Sequence, residues 1–307
     1  MSKRAFSIFL TCAVILSCLA ACGKAERGAS GRTSVVATIF PAYDFAKHVC
    51  GEAAEVTMLL SPGSESHSYE PTAQDILKIQ NCDLFLYTGG ESDAWVDKIL
   101  NSLDRKIPTL RMMDCVTGIE EEHEPHEGAE AQEYDEHVWT SPVNAAKITE
   151  AIKNALCGID GAQKELYERN AASYIADIDQ LDQDFRTFFE TVQNKTMIFG
   201  DRFPLIYFTS EYGLEYYAAF PGCAEHTEPS AATIAQLIRK IKEDKISTIY
   251  YIEFSNHNIA DSLADATGAD TALFYTCHNV SKQQLSDGAT YVSLMRENLS
   301  TLQKTMR

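Results

Sequence analysis

Apolar and polar positions divide the chain into two alternating kinds of segment. Short runs rich in β-branched and aromatic residues predict buried strands, and most are followed by a longer segment whose apolar positions lie three or four residues apart, which predicts a helix. The runs that predict strands are TSVVATIF, AEVTMLL, DLFLYTG and IPTLRM in the first half, and KTMIFG, YYAAF, STIYYIEF and TALFYT in the second. Because strands that alternate with helices are typical of parallel sheets, the chain predicts an α/β fold of two lobes, each a parallel-type sheet flanked by helices.

Residues 161–193 carry a long helical pattern between the two groups of strands. No Pro or Gly interrupts this segment after Gly161. Its apolar positions, three or four residues apart, are Tyr174, Ile178, Leu181, Phe185, Phe188 and Val192. The pattern predicts one rigid helix joining an N-terminal lobe, residues 34–160, to a C-terminal lobe, residues 194–307. Ligands of open α/β sheets bind beyond the carboxyl ends of the strands, so we expect a site in the cleft between the lobes.

The first residues predict export from the cytoplasm. Lys3 and Arg4 precede the apolar run AFSIFLTCAVILSCLAA, which stops at Cys22. This order is typical of a secretory signal, here residues 1–22, and the run is short for a spanning helix. The residues before Cys22 resemble the lipobox of bacterial lipoproteins, in which the cysteine becomes the lipid anchor; an ordinary signal peptide with a chance cysteine is the alternative. Residues 23–33 are small and polar, as a tether would be.

The charge balance excludes one class of partner. The chain has 44 acidic and 26 Lys or Arg residues, for a formal charge of -18, whereas nucleic-acid binding requires a basic surface. Nine acidic residues fall between Glu120 and Glu136, in a stretch without Lys or Arg or apolar periodicity, which predicts a mobile acidic loop.

Six cysteines remain after the signal and the anchor, and an even number outside the cytoplasm permits disulfides. They are Cys50, Cys82, Cys115, Cys157, Cys223 and Cys277. Cys223 and Cys277 both follow predicted strands of the second lobe, so we expect them to pair. Pairs of Cys50 with Cys82 and of Cys115 with Cys157 are further hypotheses. The absence of a C-x-x-C pair argues against a thiolate zinc site and a thioredoxin-type site.

Potential metal ligands from both lobes lie at or just beyond predicted strand ends. These ligands are His67, His137, Asp201, Glu253 and His278. Imidazole suits zinc, copper and nickel, whereas carboxylates suit harder ions such as manganese. No two of the histidines have the tight H-E-x-x-H spacing, so the spacing alone does not specify a site.

Two motifs resemble the zinc- and manganese-binding lipoproteins of bacterial ABC importers. SPGSESHSYEPTAQD is similar to that family's P-G-x-x-x-H-x-Y-E-P-T segment, which implies His67 as the first ligand. DEHVWTSP resembles its D-P-H-V-W-x-D-P segment, which implies His137 as the second. The resemblance extends over residues 34–307 and includes the closing segment GATYVSLMRENL.

The chain departs from this family at the other two ligand positions. The third ligand is usually His or Glu at a strand end, where this chain reads FGDRFPLIYF, so that Gly200 offers no side chain and Asp201 is the nearest candidate. The fourth is usually an aspartate, which His278 replaces here. We therefore expect zinc held by His67, His137 and His278, with Asp201, Glu253 or water completing the shell; manganese or another divalent ion is the alternative.

The resemblance implies a non-enzymatic, monomeric binding protein. It would hold a divalent ion outside the cytoplasmic membrane, be anchored there by lipid, and deliver the ion to an ABC permease. A secreted zinc metallohydrolase is the alternative, because a catalytic zinc uses similar ligands with an open position for water. The sequence contains no G-x-S-x-G, P-loop or paired-carboxylate motif that would support catalysis. A surface adhesin is a third possibility.

Overall fold

Two parallel four-stranded sheets form the centre of the protein. A computed structural model describes residues 31–120, 134–220 and 229–306. The first sheet has the order β2-β1-β3-β4, and the second has the corresponding order β6-β5-β7-β8. The strands are β1 (Thr33–Ala37), β2 (Ala54–Met58), β3 (Leu84–Tyr87), β4 (Thr109–Arg111), β5 (Thr196–Phe199), β6 (Glu215–Ala218), β7 (Thr248–Tyr251) and β8 (Asp270–Leu273). All the paired strands run parallel, which confirms the predicted fold class.

Helices flank both sheets. They are α1 (Phe40–Cys50), α2 (Ala73–Asn81), α3 (Val96–Ser102), α4 (Pro142–Ile159), α5 (Lys164–Thr191), α6 (Ile206–Tyr212), α7 (Ala231–Glu243), α8 (Asn258–Thr267), α9 (Lys282–Ser286) and α10 (Tyr291–Thr305). Helix α2 begins with a capping box in which the Thr72 hydroxyl accepts the N–H of Asp75 and the Asp75 carboxylate accepts the N–H of Thr72. Helix α4 is capped by Ser141, and Pro142 opens its first turn, where a missing N–H costs nothing.

The long helix α5 links the two groups of strands, as predicted. It has 28 residues and follows a short 3₁₀ turn at Gly161–Gln163. Its predicted inward positions Tyr174 to Phe185 are buried, but Phe189 rather than Phe188 is the next fully buried position. The buried face of α5 therefore passes from Phe185 to Phe189, four residues later, whereas Phe188 is only half-buried.

Contacts between the lobes place the site. The largest hydrophobic cluster contains residues of both lobes. Trp139 is 1% exposed, and its indole N–H donates to the carbonyl of Thr276 across the cleft, 2.9 Å away. The hydroxyl of Tyr291 donates to the carbonyl of Trp139, and that of Tyr207 donates to the carbonyl of Asp135. The C-terminal lobe therefore buttresses the segment that carries His137.

Two of the expected disulfides are wrong. Cys50, Cys82, Cys115 and Cys157 are all free thiols. Cys50 packs into the large cluster at the end of α1, whereas Cys82 packs into a separate cluster with Ile79 and Phe85, so the two thiols belong to different parts of the core. Burial raises the pKa of both thiols to about 12, as expected for inert core residues. Cys277 is also a free and fully buried thiol, and its predicted partner Cys223 lies outside the described residues.

Several other predictions fall outside the described residues. They concern the signal segment 1–22 with Cys22, most of the tether, and residues 121–133 of the acidic stretch. Within the part of the chain that the structure describes, no helix has the length and apolar character needed to cross a bilayer.

Candidate metal centre

Three histidines from distant parts of the sequence converge at the cleft. His67 lies between β2 and α2, His137 directly precedes the 3₁₀ turn Val138–Thr140, and His278 follows β8. The centre of the His67 ring lies 5.5 Å from that of His137 and 5.2 Å from that of His278. The ring centres of His137 and His278 are 4.7 Å apart. One ligand nitrogen from each ring lies within 4.8 Å of the other two. Among the described residues, these three histidines form the one cluster of three or more His, Cys, Asp or Glu side chains that could hold a metal ion.

The backbone around His278 is specially shaped. Cys277, directly before it, has a φ of 63°, in the left-handed region that non-glycine residues rarely adopt. The carbonyl of His278 accepts the N–H of Phe40 at the start of α1. Because Cys277 and Phe40 are both fully buried, the packing around them maintains this backbone conformation and so fixes the position of the His278 side chain.

Each imidazole is held through its Nδ1 atom. His137 Nδ1 lies 3.0 Å from a carboxylate oxygen of Asp135, which can only accept, so Nδ1 carries the proton and donates it. His67 Nδ1 lies 2.7 Å from the Ser92 hydroxyl, whose own hydrogen is donated to Glu136.

His278 repeats this arrangement in the other lobe. Its Nδ1 lies 2.9 Å from the Thr276 hydroxyl, whose hydrogen is donated to Glu253 over 2.6 Å. The hydroxyl can therefore only accept from Nδ1–H. In all three rings Nε2 is then the nitrogen that would meet a metal ion. His278 Nε2 is buried and has no hydrogen-bond partner, so its lone pair is available to a metal ion.

The environment of His67 and His278 favours the uncharged form of both rings. Burial, and then the neighbouring His137, lower the pKa of His67 to about 4. Burial followed by the other two histidines lowers the pKa of His278 well below its usual value. Neutral imidazole is the form that ligates metals, so both rings are ready to bind at physiological pH.

The structure does not bring Asp201 into the histidine group. Its two carboxylate oxygens accept the backbone N–H groups of Arg202, at 2.8 Å, and of Ile252, at 3.1 Å. Glu253 is likewise not in the group, and its carboxylate accepts from the N–H and the hydroxyl of Thr276. The neighbouring Gly200 has no room for a side chain: a Cβ there would lie 2.4 Å from the Cα of Ala260 in α8.

The cleft opens beside His67 and His278. Ser64, Arg202, Pro204, Phe254 and Asn279 line this opening together with the two histidines. Arg202 donates to the carboxylate of Glu65 in the opposite lobe, 2.8 Å away. Burial alone would raise the pKa of Glu65, but the hydrogen bond and charge of Arg202, and His67, hold it below its ordinary value.

Sequence reasoning missed the groups behind the histidines. Asp135 and Glu136 are adjacent to His137 in DEHVW, so their position in that motif was a usable signal. Ser92 lies 25 residues from His67, and no local pattern marks it. Thr276 lies two residues before His278, a spacing too common to be informative.

Comparison with known proteins finds relatives that are named for zinc binding or zinc uptake. Residues 35–305 match the family described as "Zinc-uptake complex component A periplasmic", ZnuA. The zinc-binding lipoprotein AdcA of Streptococcus pneumoniae is 33% identical over 99% of this chain, which spans 61% of that relative. The high-affinity zinc uptake system protein ZnuA of Bacillus subtilis is 32% identical over 100% of this chain and 99% of its own length.

A solved structure shows the same fold. The Zn(II)-bound ZnuA-like domain of S. pneumoniae AdcA has a TM-score of 0.76 and 32% identity, covering 90% of this chain and 99% of that domain.

Proposed function

Because the chain belongs to the ZnuA family of zinc-uptake components, we propose that it captures zinc outside the cytoplasm and passes it to an ABC permease. The observation that carries this proposal is the convergence of three imidazoles, each of which has its Nδ1 atom in a hydrogen bond with a neighbouring side chain. The unpartnered, buried Nε2 of His278 is the clearest single sign that an ion completes the arrangement.

The donor set favours zinc. His67, His137 and His278 supply three neutral nitrogen ligands, and zinc in proteins takes such ligands in tetrahedral sites. The fourth position is then filled by water, because Asp201 and Glu253 are engaged with backbone and hydroxyl groups. Manganese prefers oxygen donors and gains none from these three rings.

Location and partners follow from the family and the proposed anchor. As an extracytoplasmic component of a zinc-uptake system, the protein would be held at the membrane by a lipid on Cys22. It would act as a monomer and meet its permease through exposed surfaces of the lobes. In this role the ion is cargo, so the protein needs no catalytic group.

Titration of metal-free protein tests the proposal. We expect one tight zinc site and much weaker binding of manganese, measured by competition with a chromophoric chelator. Metal content after purification without chelators should show zinc at about one ion per chain. Absence of tight zinc binding, or a preference for manganese, would contradict it. A screen for hydrolase activity of the zinc-loaded protein addresses the enzymatic alternative, and we expect none.

A further inference from the structure

Two of the three histidines are linked to a buried glutamate through a hydroxyl group. In the N-terminal lobe the chain of contacts runs from His67 Nδ1 to Ser92, 2.7 Å, and on to Glu136, and His67 Nδ1 also lies 3.3 Å from the same Glu136 oxygen. In the C-terminal lobe it runs from His278 Nδ1 to Thr276, 2.9 Å, and on to Glu253, 2.6 Å.

Backbone groups fix the direction of both chains. The N–H of Ser92 donates to the second oxygen of Glu136, at 3.1 Å, and the N–H of Thr276 donates to the second oxygen of Glu253, at 2.7 Å. Each glutamate thus accepts two hydrogen bonds from one residue, which locks the carboxylate in place. The single hydrogen of the hydroxyl is used on the carboxylate, and its lone pairs face the imidazole.

This arrangement decides which nitrogen of the imidazole carries the proton. A hydroxyl that accepts from Nδ1–H keeps the proton on Nδ1 and leaves the lone pair of Nε2 for a metal. If the hydroxyl turned around and donated to Nδ1, the proton would lie on Nε2 and would block ligation.

The same glutamates place two buried carboxylates close to the histidine group. A divalent ion brings two positive charges to three neutral rings, and none of the carboxylates described above is in the group of ligand atoms. Glu136 and Glu253 are only 8% and 9% exposed, so a negative charge on either acts through protein rather than water. Burial raises the pKa of Glu253, and the hydrogen bonds from Thr276 oppose that rise by favouring the charged form.

We propose that the Ser92–Glu136 and Thr276–Glu253 pairs position His67 and His278 as Nε2 donors and provide the negative charge that a carboxylate ligand would otherwise contribute. This inference rests on the proposed zinc-binding function. It assigns the preference for zinc to the three Nε2 atoms, and the balance of charge to two carboxylates on the Nδ1 side of His67 and His278. Partners of this kind typically change metal affinity about 10–100-fold when they are removed.

Conservative variants at the two hydroxyl positions separate positioning from packing. Thr276→Val and Ser92→Ala remove the hydroxyl, whereas Thr276→Ser and Ser92→Thr retain it. Thr149→Val is the matched control, because the Thr149 hydroxyl is also buried but donates to the carbonyl of Ala145 within α4. Zinc affinity is measured by chelator competition, and the melting temperature of metal-free protein reports folding.

We expect zinc affinity to fall about 10–100-fold in Thr276→Val and Ser92→Ala and to be restored in the hydroxyl-retaining variants. Glu253→Gln and Glu136→Gln should lose a similar factor, since an amide can donate to the hydroxyl and reverse it. Thr149→Val should bind zinc like the wild type.

Three results would overturn the inference while leaving zinc uptake intact. They are unchanged affinity in Thr276→Val and Ser92→Ala, an equal fall in Thr276→Ser and Ser92→Thr, or an equal fall in Thr149→Val. Failure of the wild-type protein itself to bind zinc would instead remove the proposed function, and this inference with it.

Discussion

At the residue scale, the proposed preference for zinc depends most on His278. It places an imidazole where the family resemblance implies an aspartate, and its Nε2 atom lies in a buried position without a hydrogen-bond partner. In the proposed site, this replacement changes a mixed nitrogen and oxygen donor set into one of three nitrogens. Harder ions lose an oxygen ligand by this change, whereas zinc does not depend on one.

Replacing His278 should therefore alter affinity and selectivity separately. His278→Ala should reduce zinc affinity by more than the roughly 10–100-fold caused by loss of an outer hydrogen-bond partner. His278→Asp should lower zinc affinity but raise manganese affinity relative to zinc. Chelator competition with both ions measures these changes. His257→Ala is the control, because His257 pairs with the exposed Asp261 at the start of α8. Wild-type zinc affinity in His278→Ala would exclude the three-histidine site.

Asp93 provides a pH-dependent contribution to stability near the site. Burial is the main cause that raises its pKa to about 7, although its carboxylate accepts the N–H groups of Thr88 and Gly89. Because folding raises this pKa, Asp93 is protonated in the native state but ionised in the unfolded state at pH values between the ordinary aspartate pKa and about 7. Stability from this group is therefore present at low pH and is lost as the pH rises through about 7.

Comparison of the wild type with Asp93→Asn isolates this effect. The stability of the metal-free wild type relative to the variant should decline by roughly 1 kcal/mol per pH unit between about pH 5 and 7. Denaturant unfolding at several pH values measures the difference, and titration of groups common to both proteins cancels. A constant difference across this range would show that Asp93 ionises normally.

At the scale of secondary-structure elements, the contact between β5 and α8 explains why the third family ligand is absent. Gly200 directly follows β5 and donates its N–H to the carbonyl of Tyr250 in β7. The backbone of Ala260 in α8 occupies the space into which a side chain would project. A ligand at this position would require α8 to move outward, and the chain instead supplies its third nitrogen from the segment after β8.

Gly200→Ala should therefore destabilise the protein. The added Cβ forces α8 away from β5, and overpacking of this kind typically costs about 1–3 kcal/mol. Denaturant unfolding measures the loss. Gly158→Ala in α4 is the matched control, because a Cβ there meets nothing within 4 Å and alanine favours helix. Equal stability of the two variants would mean that α8 adjusts without cost.

At the scale of the whole molecule, the lobes are connected in more places than α5 alone. The side-chain amide of Asn279 donates to the carbonyls of Ser61 and Ser64, at 2.8 and 2.9 Å, and the N–H of Gly63 donates to the carbonyl of Val280. These bonds join the segment that carries His67 to the segment that carries His278. They act together with the Trp139 bond across the cleft and the uninterrupted α5 to limit movement between the lobes.

Small-angle scattering should show this restriction directly. We expect the radius of gyration of metal-free and zinc-loaded protein to differ only slightly, because the ligand segments are already joined before the ion arrives. Arg202→Met combined with Asn279→Ala should enlarge the difference by releasing bonds across the cleft. A large compaction of the wild type on zinc binding would show that these contacts form only in the loaded state.

The sequence by itself determined the architecture and singled out the three histidines that the fold brings together. Alternation of strand and helix patterns requires only that apolar residues face a core, so the two lobes and α5 could be predicted from local spacing. His67 and His137 lie within compact motifs in which neighbouring residues identify them. His278 could be located because it directly follows a predicted strand end.

Tertiary structure alone decided how those histidines are held and which other groups stay out of the site. Ser92 and Glu136 reach His67 from elsewhere in the chain, and Asp201 is engaged by the backbone N–H of Ile252 on a neighbouring strand. Cys50 and Cys82 packed into different parts of the core, so an even count of cysteines gave the wrong pairs. The physical reason is common to all three: hydrogen bonds and side-chain packing depend on distances between segments, and those distances are set only when the sheets and helices assemble.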